Sequence, residues 1–247
     1  GQEAYFIAQE INNRIFRDNL NYKDFAVLYR TNAQSRVLEE AMVRMRLPYK
    51  IIGGLRFYQR KEIKDILAYL RVIANPSDDV SLLRIINVPK RGIGTTTVDR
   101  LKAAAEERNQ SIFDIIMDGK GLSISSGTLN KLQAFLLMMQ DFRDVADTMS
   151  VSELINYVLE QTGYMDKLIS ENTNEALSRA ENLREMIGAA MDFEQKMPDG
   201  TLEDFLTELA LVSDVDDLDE DSDAVVLMTL HNAKGLEFPI VFMAGMD

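Results

Sequence analysis

Val225-Val-Leu-Met-Thr-Leu-His-Asn-Ala-Lys-Gly-Leu-Glu-Phe-Pro-Ile-Val-Phe-Met-Ala244 begins and ends in unbroken apolar runs, Val225–Met228 and Ile240–Ala244. Two such runs bounded by turn residues read as strands buried on both faces, the pattern of a parallel sheet. The polar segment between them, Thr229 to Glu237, leaves the carboxyl end of a strand, which is where ligands bind in open α/β sheets. It offers the Thr229 hydroxyl, the chain's only imidazole at His231, the Lys234 ammonium, backbone N–H groups near Gly235 and the Glu237 carboxylate. That set suits a polyanion carrying sugar hydroxyls, such as a nucleotide or a nucleic-acid strand. Spacing alone leaves the plainer alternatives standing: a solvated surface histidine, and a Lys-Gly pair closing a helix.

Working back to the start of the chain, Ile7, Ile11 and Ile15 recur at helical spacing within Gln2–Arg17. Phe25-Ala-Val-Leu-Tyr-Arg30 predicts a short buried strand ending in an aromatic ring and a cation, which by themselves read as a residue at the core's edge and a solvated charge. Ala33–Met45 predicts a second helix, and Pro48–Ile52 a second strand closed by Gly53-Gly54. Helix, strand, helix and strand in that order imply βαβ connections and a parallel sheet. Gly54-Leu-Arg-Phe-Tyr-Gln-Arg-Lys-Glu-Ile-Lys-Asp65 then opens a helix with Ile63, Ile66, Leu67, Leu70 and Ile73 inward, stopped at Asn75-Pro76.

Val80–Ile86 predicts a short helix, and Pro89-Lys-Arg-Gly-Ile-Gly-Thr-Thr-Thr97 a tight loop before another, with Thr95 or Thr96 as N-cap. Gly92-Ile-Gly94 is no dinucleotide fingerprint, because Thr stands at 97 and no acid follows at the required distance. It reads either as a Gly-rich helix connector or as the hairpin of a helix–hairpin–helix element. In the second case the N–H groups around Gly92, Gly94 and Thr95 approach a duplex phosphate beside Lys90 and Arg91.

From about residue 118 helix follows helix. Thr128–Thr148 carries an apolar stripe, and Ser150 with Glu153 forms a capping box for a helix ending near Gly163. Asn174–Glu194 is long and charged, and Thr201 caps a helix running to Leu211. The Met and Leu stripes read as core. Val212–Asp223 packs seven acids into twelve residues, a solvated linker.

The chain of 247 residues has no cysteine, which excludes disulfides and thiolate metal sites, and its single His leaves no zinc site; no metal ligand set is expected. No apolar run approaches the ~20 residues that cross a bilayer. A start at Gly1 without Met is expected of a piece cut from a longer protein. Net charge is −13, yet residues 1–117 hold 19 Lys/Arg against 14 Asp/Glu, while residues 118–247 hold 8 against 26. The first part can face phosphate and the second mostly cannot.

Thr229-Leu-His-x-Ala-Lys-Gly-Leu-Glu-Phe238 resembles motif V of the superfamily 1 DNA helicases of the UvrD/Rep/PcrA group, and Tyr29-Arg30-Thr-Asn-Ala-Gln-Ser-Arg36 resembles their motif IV. The block opening at Gly54 is similar to the motif that follows motif IV. The resemblance covers nearly the whole chain. It implies an α/β fold, a RecA-like parallel-sheet domain without its P-loop, interrupted by an all-α insertion. Residues 1–117 would form its first segment, 118–223 the inserted helical subdomain ending in the acidic linker, and 224–247 its second segment. No Gly-x-x-x-x-Gly-Lys-Ser/Thr, no apolar strand ending in Asp-Glu and no motif VI occur; those parts would lie before Gly1 and after Asp247.

The function implied is that of an ATP-dependent 3′–5′ DNA helicase of repair or replication, cytoplasmic, whose carboxyl-side part this is. Tyr29 would stack on adenine, Arg30 would reach the γ-phosphate as the catalytic arginine finger, and Gly235 and Glu237 would flank phosphate and ribose. Thr229 and His231 would face single-stranded DNA, and Phe57 and Arg60 would touch nucleic acid. ATP is the nucleotide, and Mg²⁺ would be held mainly by the absent first RecA-like domain, the expected partner besides single-stranded and duplex DNA. No membrane is expected, and the chain alone would be inactive as an ATPase. The alternatives are a non-catalytic helical adaptor or duplex-binding module, and the helicase part of a RecB-like helicase–nuclease.

Overall fold

A computed structural model describes residues 2–213 and 222–245. Helix α1 (Gln2–Asp18) buries Ala4, Ile7, Ala8 and Ile11, one face at three- and four-residue spacing. Strand β1 (Phe25–Tyr29), helix α2 (Ser35–Arg44) and strand β2 (Tyr49–Ile52) follow. Strands β3 (Val225–Thr229) and β4 (Ile240–Met243) come from the far end of the chain. All pairings are parallel, in the order β2-β3-β1-β4, with Ala26 opposite Val226 and Tyr29 opposite Thr229. The expected parallel sheet is present. Its β1 and β2 are not neighbours, however: β3 lies between them.

One face of the sheet carries Phe25, Val27, Tyr29, Val225 and Leu227, in one core with Leu38 and Met42 of α2 and Ile7 and Ile11 of α1. On the other, Ala26, Val226 and Met228 meet the half-buried Leu28, Ile52, Ala233 and Phe238. The expectation that both apolar runs are buried on two faces holds for β3 and fails for β4. Val241 is 47% exposed and Met243 57%, because β4 is an edge strand with one sheet neighbour. An apolar run reports the capacity for burial, and neighbours decide how much is realised.

The chain divides into two compact units, residues 1–63 with 177–185 and 208–247, and residues 64–176 with 186–207. The first is the α/β unit. The second is helical, containing most of α3 (Lys61–Ala74), then α4 (Asp79–Ile85), α5 (Thr95–Arg108), α6 (Ile112–Asp118), α7 (Ser126–Ala146), α8 (Val151–Thr162) and α9 (Tyr164–Glu171). Helices α10 (Asn174–Lys196) and α11 (Leu202–Ser213) each contribute to both units. Read from sequence, the charge balance changes and an unbroken run of helices begins near 118, and the packing division falls at 63/64, inside α3. Charge composition marks surfaces, and apolar contacts mark units. Within the helical unit Tyr69, Phe142 and Tyr157 stack edge to face at 6.5 and 5.8 Å.

Helix ends follow local chemistry. Ser150 and Glu153 close the predicted capping box on α8, which ends at Gly163 in the left-handed conformation. Thr201 accepts from the Asp204 N–H. Helix α5 is capped by Gly94 instead of Thr95 or Thr96, so both threonines lie within its first turn. Most of the acidic run, residues 214–221, lies outside the described residues.

Candidate nucleotide and nucleic-acid sites

Tyr29 and Thr229 are opposite each other where β1 and β3 end, and the Leu230 N–H donates to the Tyr29 carbonyl at 2.9 Å. Parallel pairing therefore brings Arg30 and the 229–237 loop, two hundred residues apart in sequence, to one edge of the sheet. The Arg30 side chain is exposed. Its backbone N–H and that of Thr31 both donate to Gln34 Oε1, at 2.9 and 3.0 Å. The other loop closes a turn in which Asn232 N–H and Ala233 N–H donate to the Thr229 carbonyl, at 3.0 and 3.2 Å. His231, Lys234, Gly235 and Glu237 are exposed on it. Nothing stands within 4 Å of where a side chain at Gly235 would begin. The Thr229 hydroxyl, half-buried, accepts from Asn232 N–H at 3.3 Å and so serves the turn.

Three residues expected at ligand contacts, Tyr29, Phe57 and Arg60, stand inside the protein. The Tyr29 ring is 1% exposed and part of the core under the sheet, so in this arrangement it has no open face for a base. Burial, with a smaller push from the Glu39 charge, raises its hydroxyl well above the ordinary tyrosine value, against a pull from Arg60. Phe57 is fully buried, edge to face with Tyr58 at 5.1 Å. Arg60 is 8% exposed and donates to Leu55 O, Asn32 O, Asn182 Oδ1 and Ser35 Oγ at 3.3, 2.9, 2.8 and 2.7 Å. Its guanidinium also lies over the Phe57 ring at 5.2 Å.

Glu39 is a buried carboxyl of this cluster. It accepts from Ser35 Oγ at 2.7 Å, from Phe57 N–H at 3.1 Å and from Tyr49 OH at 3.4 Å. Burial pushes its carboxyl above the ordinary range, opposed by those hydrogen bonds and by the Arg60 charge. Asn182 Nδ2 donates to Glu62 Oε1 at 2.6 Å, completing a network that no single stretch of sequence announces.

The helical unit holds the Lys90–Gly94 hairpin between α4 and α5. Arg91 is spent internally: Nη1 donates to Ile85 O and Val88 O at 2.9 and 3.1 Å, Nη2 to Tyr69 OH at 2.6 Å, and the guanidinium lies 4.6 Å over the Phe135 ring. The N–H groups of Arg91 and Ile93 donate to Asn87 Oδ1. Arg91 therefore braces the hairpin from within. Lys90, Gly92, Gly94 and Thr95 are exposed. Sequence reasoning missed Lys131 of α7, whose Nζ stands 3.0 Å from where a Gly92 side chain would begin. Only three-dimensional folding brings that second ammonium to the hairpin.

Among the described residues no three His, Asp or Glu side chains converge as a metal site, and no helix is long and apolar enough to cross a membrane. A parallel sheet with an exposed arginine and a polar turn at its carboxyl edge, interrupted by a run of helices, is a RecA-like domain with a helical insertion. The family model for the UvrD-like helicase C-terminal domain matches residues 1–247, and the chain belongs to that family. It is 44% identical to the ATP-dependent DNA helicase PcrA of Bacillus subtilis (strain 168), over 99% of this chain and 34% of that protein. The PcrA helicases of Staphylococcus epidermidis (strain ATCC 12228 / FDA PCI 1200) and Staphylococcus aureus (strain NCTC 8325 / PS 47) are 45% and 44% identical over the same shares. The chain thus spans about a third of the length of these relatives.

Proposed function

We propose that this chain is the carboxyl-side part of an ATP-dependent DNA helicase that moves 3′ to 5′ along single-stranded DNA in the cytoplasm. The observation that supports it most is the exposed Arg30 guanidinium at the end of β1, its backbone held by Gln34, beside the exposed turn that ends β3. ATP, when bound, supplies a γ-phosphoryl whose transfer to water builds charge on equatorial oxygens. Arg30 is the group here suited to that charge, since a guanidinium is planar and always protonated. Gly235 and Glu237 would flank the phosphates and ribose, and His231, with the end of β3 at Thr229, would face the DNA strand. Mg²⁺ and the phosphate cradle would come from a first RecA-like domain, the partner this reading requires. Lys90 and Lys131, with the hairpin N–H groups at Gly92, Gly94 and Thr95, would hold duplex phosphate without reading sequence.

Arg30→Ala in a helicase containing this chain should lower kcat for DNA-stimulated ATP hydrolysis by roughly 10³-fold, the low end for an arginine finger. Single-strand affinity should stay unchanged, and Arg30→Lys should not rescue, because an ammonium lacks the planar fork. Near-normal kcat in Arg30→Ala would remove Arg30 from the site and favour the adaptor reading.

A further inference from the structure

At the carboxyl edge of the sheet, one geometric relation occurs twice. Strands β3 and β1 are the central pair, and β2 and β4 the edges. On the loop leaving β1, Gln34 lies against Gly245, two residues past the end of β4: a side chain begun at Gly245 would stand 2.7 Å from Gln34 Nε2. On the loop leaving β3, Asn232 lies over Gly53, the residue after β2: a side chain begun there would stand 2.2 Å from Asn232 Nδ2 and 2.7 Å from its Cγ. Both glycines have positive φ, +64° and +78°, where a side chain is strained as well as crowded. Asn232 Nδ2 lies 3.4 Å from the carbonyls of Ile52 and Gly53, within hydrogen-bonding reach of both. Gln34 uses its other end, Oε1, to receive the N–H groups of Arg30 and Thr31.

Each central loop thus meets the neighbouring edge strand through a primary amide, Asn232 by hydrogen bonds to the carbonyls of Ile52 and Gly53 and Gln34 by close packing on Gly245. These loops are the two that carry the proposed ligand contacts. At Gln34 the task is acceptance by Oε1 and at Asn232 donation by Nδ2, and a primary amide can supply either. A bare glycine lets the amide plane lie directly on the peptide. Gly245 N–H is in turn taken by the Glu3 carboxylate at 3.1 Å.

We propose that Gln34 and Asn232 are positioning residues: Gln34 sets the backbone from which the Arg30 guanidinium reaches out, and Asn232 sets the turn that carries His231 to Glu237. This rests on the helicase reading of the site. Neither amide is assigned a contact with nucleotide or DNA. Their part is preorganisation, and a misplacement of about 1 Å at a reacting group can lower rate up to ~10²-fold.

The experiment takes Gln34→Ala, Gln34→Glu and Asn232→Ala in a helicase containing this chain, with Arg30→Ala as reference. Backbone amide exchange at Arg30 and Thr31 is measured in parallel on the same proteins. Gln34→Ala should speed exchange at both amides and lower kcat about 10-fold while KM for ATP stays within about 2-fold. Gln34→Glu keeps two acceptor oxygens, so it should restore both slow exchange and most of kcat. Should Gln34→Ala fold poorly, Gln34→Asn, one methylene shorter, should show the same pairing of faster exchange and lower kcat. Asn232→Ala should raise the single-strand concentration giving half-maximal ATPase about 5-fold, on the same scale of misplacement. Gly53→Ala should harm less in the Asn232→Ala background than alone, because the clashing amide is gone.

Unchanged exchange in Gln34→Ala overturns the hydrogen bonds themselves. Faster exchange with unchanged kcat overturns the positioning role while leaving the helicase reading intact. A normal kcat in Arg30→Ala overturns the site reading first, and this inference with it.

Discussion

Arg60→Ala separates a structural arginine from a DNA contact. The guanidinium is 8% exposed and donates four hydrogen bonds, and its charge favours the ionised form of the buried Glu39 carboxyl. Hydrogen bonds to a charged group contribute about 1.5–3 kcal/mol each. Four would sum to about 6–12 kcal/mol, as much as a whole domain's stability, so full additivity is not expected. The governing scale is the loss of one partner from a buried ionic cluster, about 3–5 kcal/mol, because the partners left behind regain water only in part. We take about 4 kcal/mol. With a urea m-value of about 2 kcal/mol/M, the unfolding midpoint of the α/β unit falls by about 2 M.

Had Arg60 been a solvated DNA contact, its removal would change stability by less than about 0.5 kcal/mol, a midpoint shift near 0.25 M. Urea unfolding of this chain followed by circular dichroism resolves the two. Single-strand affinity is then measured where both proteins remain folded. A midpoint that hardly moves, together with a tenfold or greater loss of DNA affinity, would refute the structural assignment. Arg60→Lys should recover little of the loss, since its three donors do not span acceptors arranged for a fork.

The chain alone should not hydrolyse ATP, because it lacks a cradle for the β- and γ-phosphates; DNA-stimulated turnover by the purified chain would refute this. Lys90→Ala with Lys131→Ala should flatten the plot of log K against log salt for duplex binding by up to ~2, at about 0.9 per phosphate neutralised, while Arg91→Ala should instead lower thermal stability. Coincident slopes would reduce the hairpin to a helix connector. Glu39 titrates above its ordinary value of 4.5, so the native state holds that proton more tightly than the unfolded chain. Its contribution is therefore fully present below pH 4.5 and is lost as pH rises through the native pKa. Denaturation of wild type and Glu39→Gln from pH 4.5 to 7 should show their difference drifting toward the Gln variant; a drift the other way contradicts the direction of the shift.

Strand and cap chemistry were legible where they are local. The apolar runs at 25–29 and 225–229 became adjacent central strands, and Ser150 with Glu153 closed the capping box that three-residue spacing predicts. Parallel pairing was legible from the same runs, but strand order was not. Nothing within 49–52 says that a strand begun at 225 will insert between it and β1, since that choice is made by face-to-face packing on α1 and α2. The same limit explains the site. Lys90 and Arg91 are neighbours in one basic run, yet one is solvated and the other is tied to Tyr69 and to Phe135 of α7. Arg60 is decided by Asn182, 122 residues away. A cation's fate depends on acceptors that arrive from elsewhere in the chain, and local pattern carries no record of them.

Net charge misleads for a related reason. The 19 cations of residues 1–117 exceed 14 acids, which suggests a surface for phosphate. Many of those cations are already matched: Arg14 with Glu10, Arg17 with Asp18, Arg36 with Glu40 and Glu185, Arg44 with Glu208 and Arg84 with Asp65. Arg60 and Arg91 donate inward to carbonyls and side chains. A pair of opposite charges about 3 Å apart looks nearly neutral from one Debye length, ~8 Å at physiological salt. Of the named pairs, those inside residues 1–117 leave the surplus unchanged, and only Glu185 and Glu208, from beyond residue 117, reduce it. Position decides the field that a polyanion meets: Arg30 at the sheet edge in one unit, Lys90 and Lys131 at the hairpin in the other. At the hairpin the first turn of α5 adds a partial positive charge that acts within about one turn. Charges acting over so short a range can seat a phosphate already in contact, while the net charge of −13 opposes steering DNA from a distance. Association with DNA should accordingly be slower than for a basic protein and only weakly accelerated at low salt.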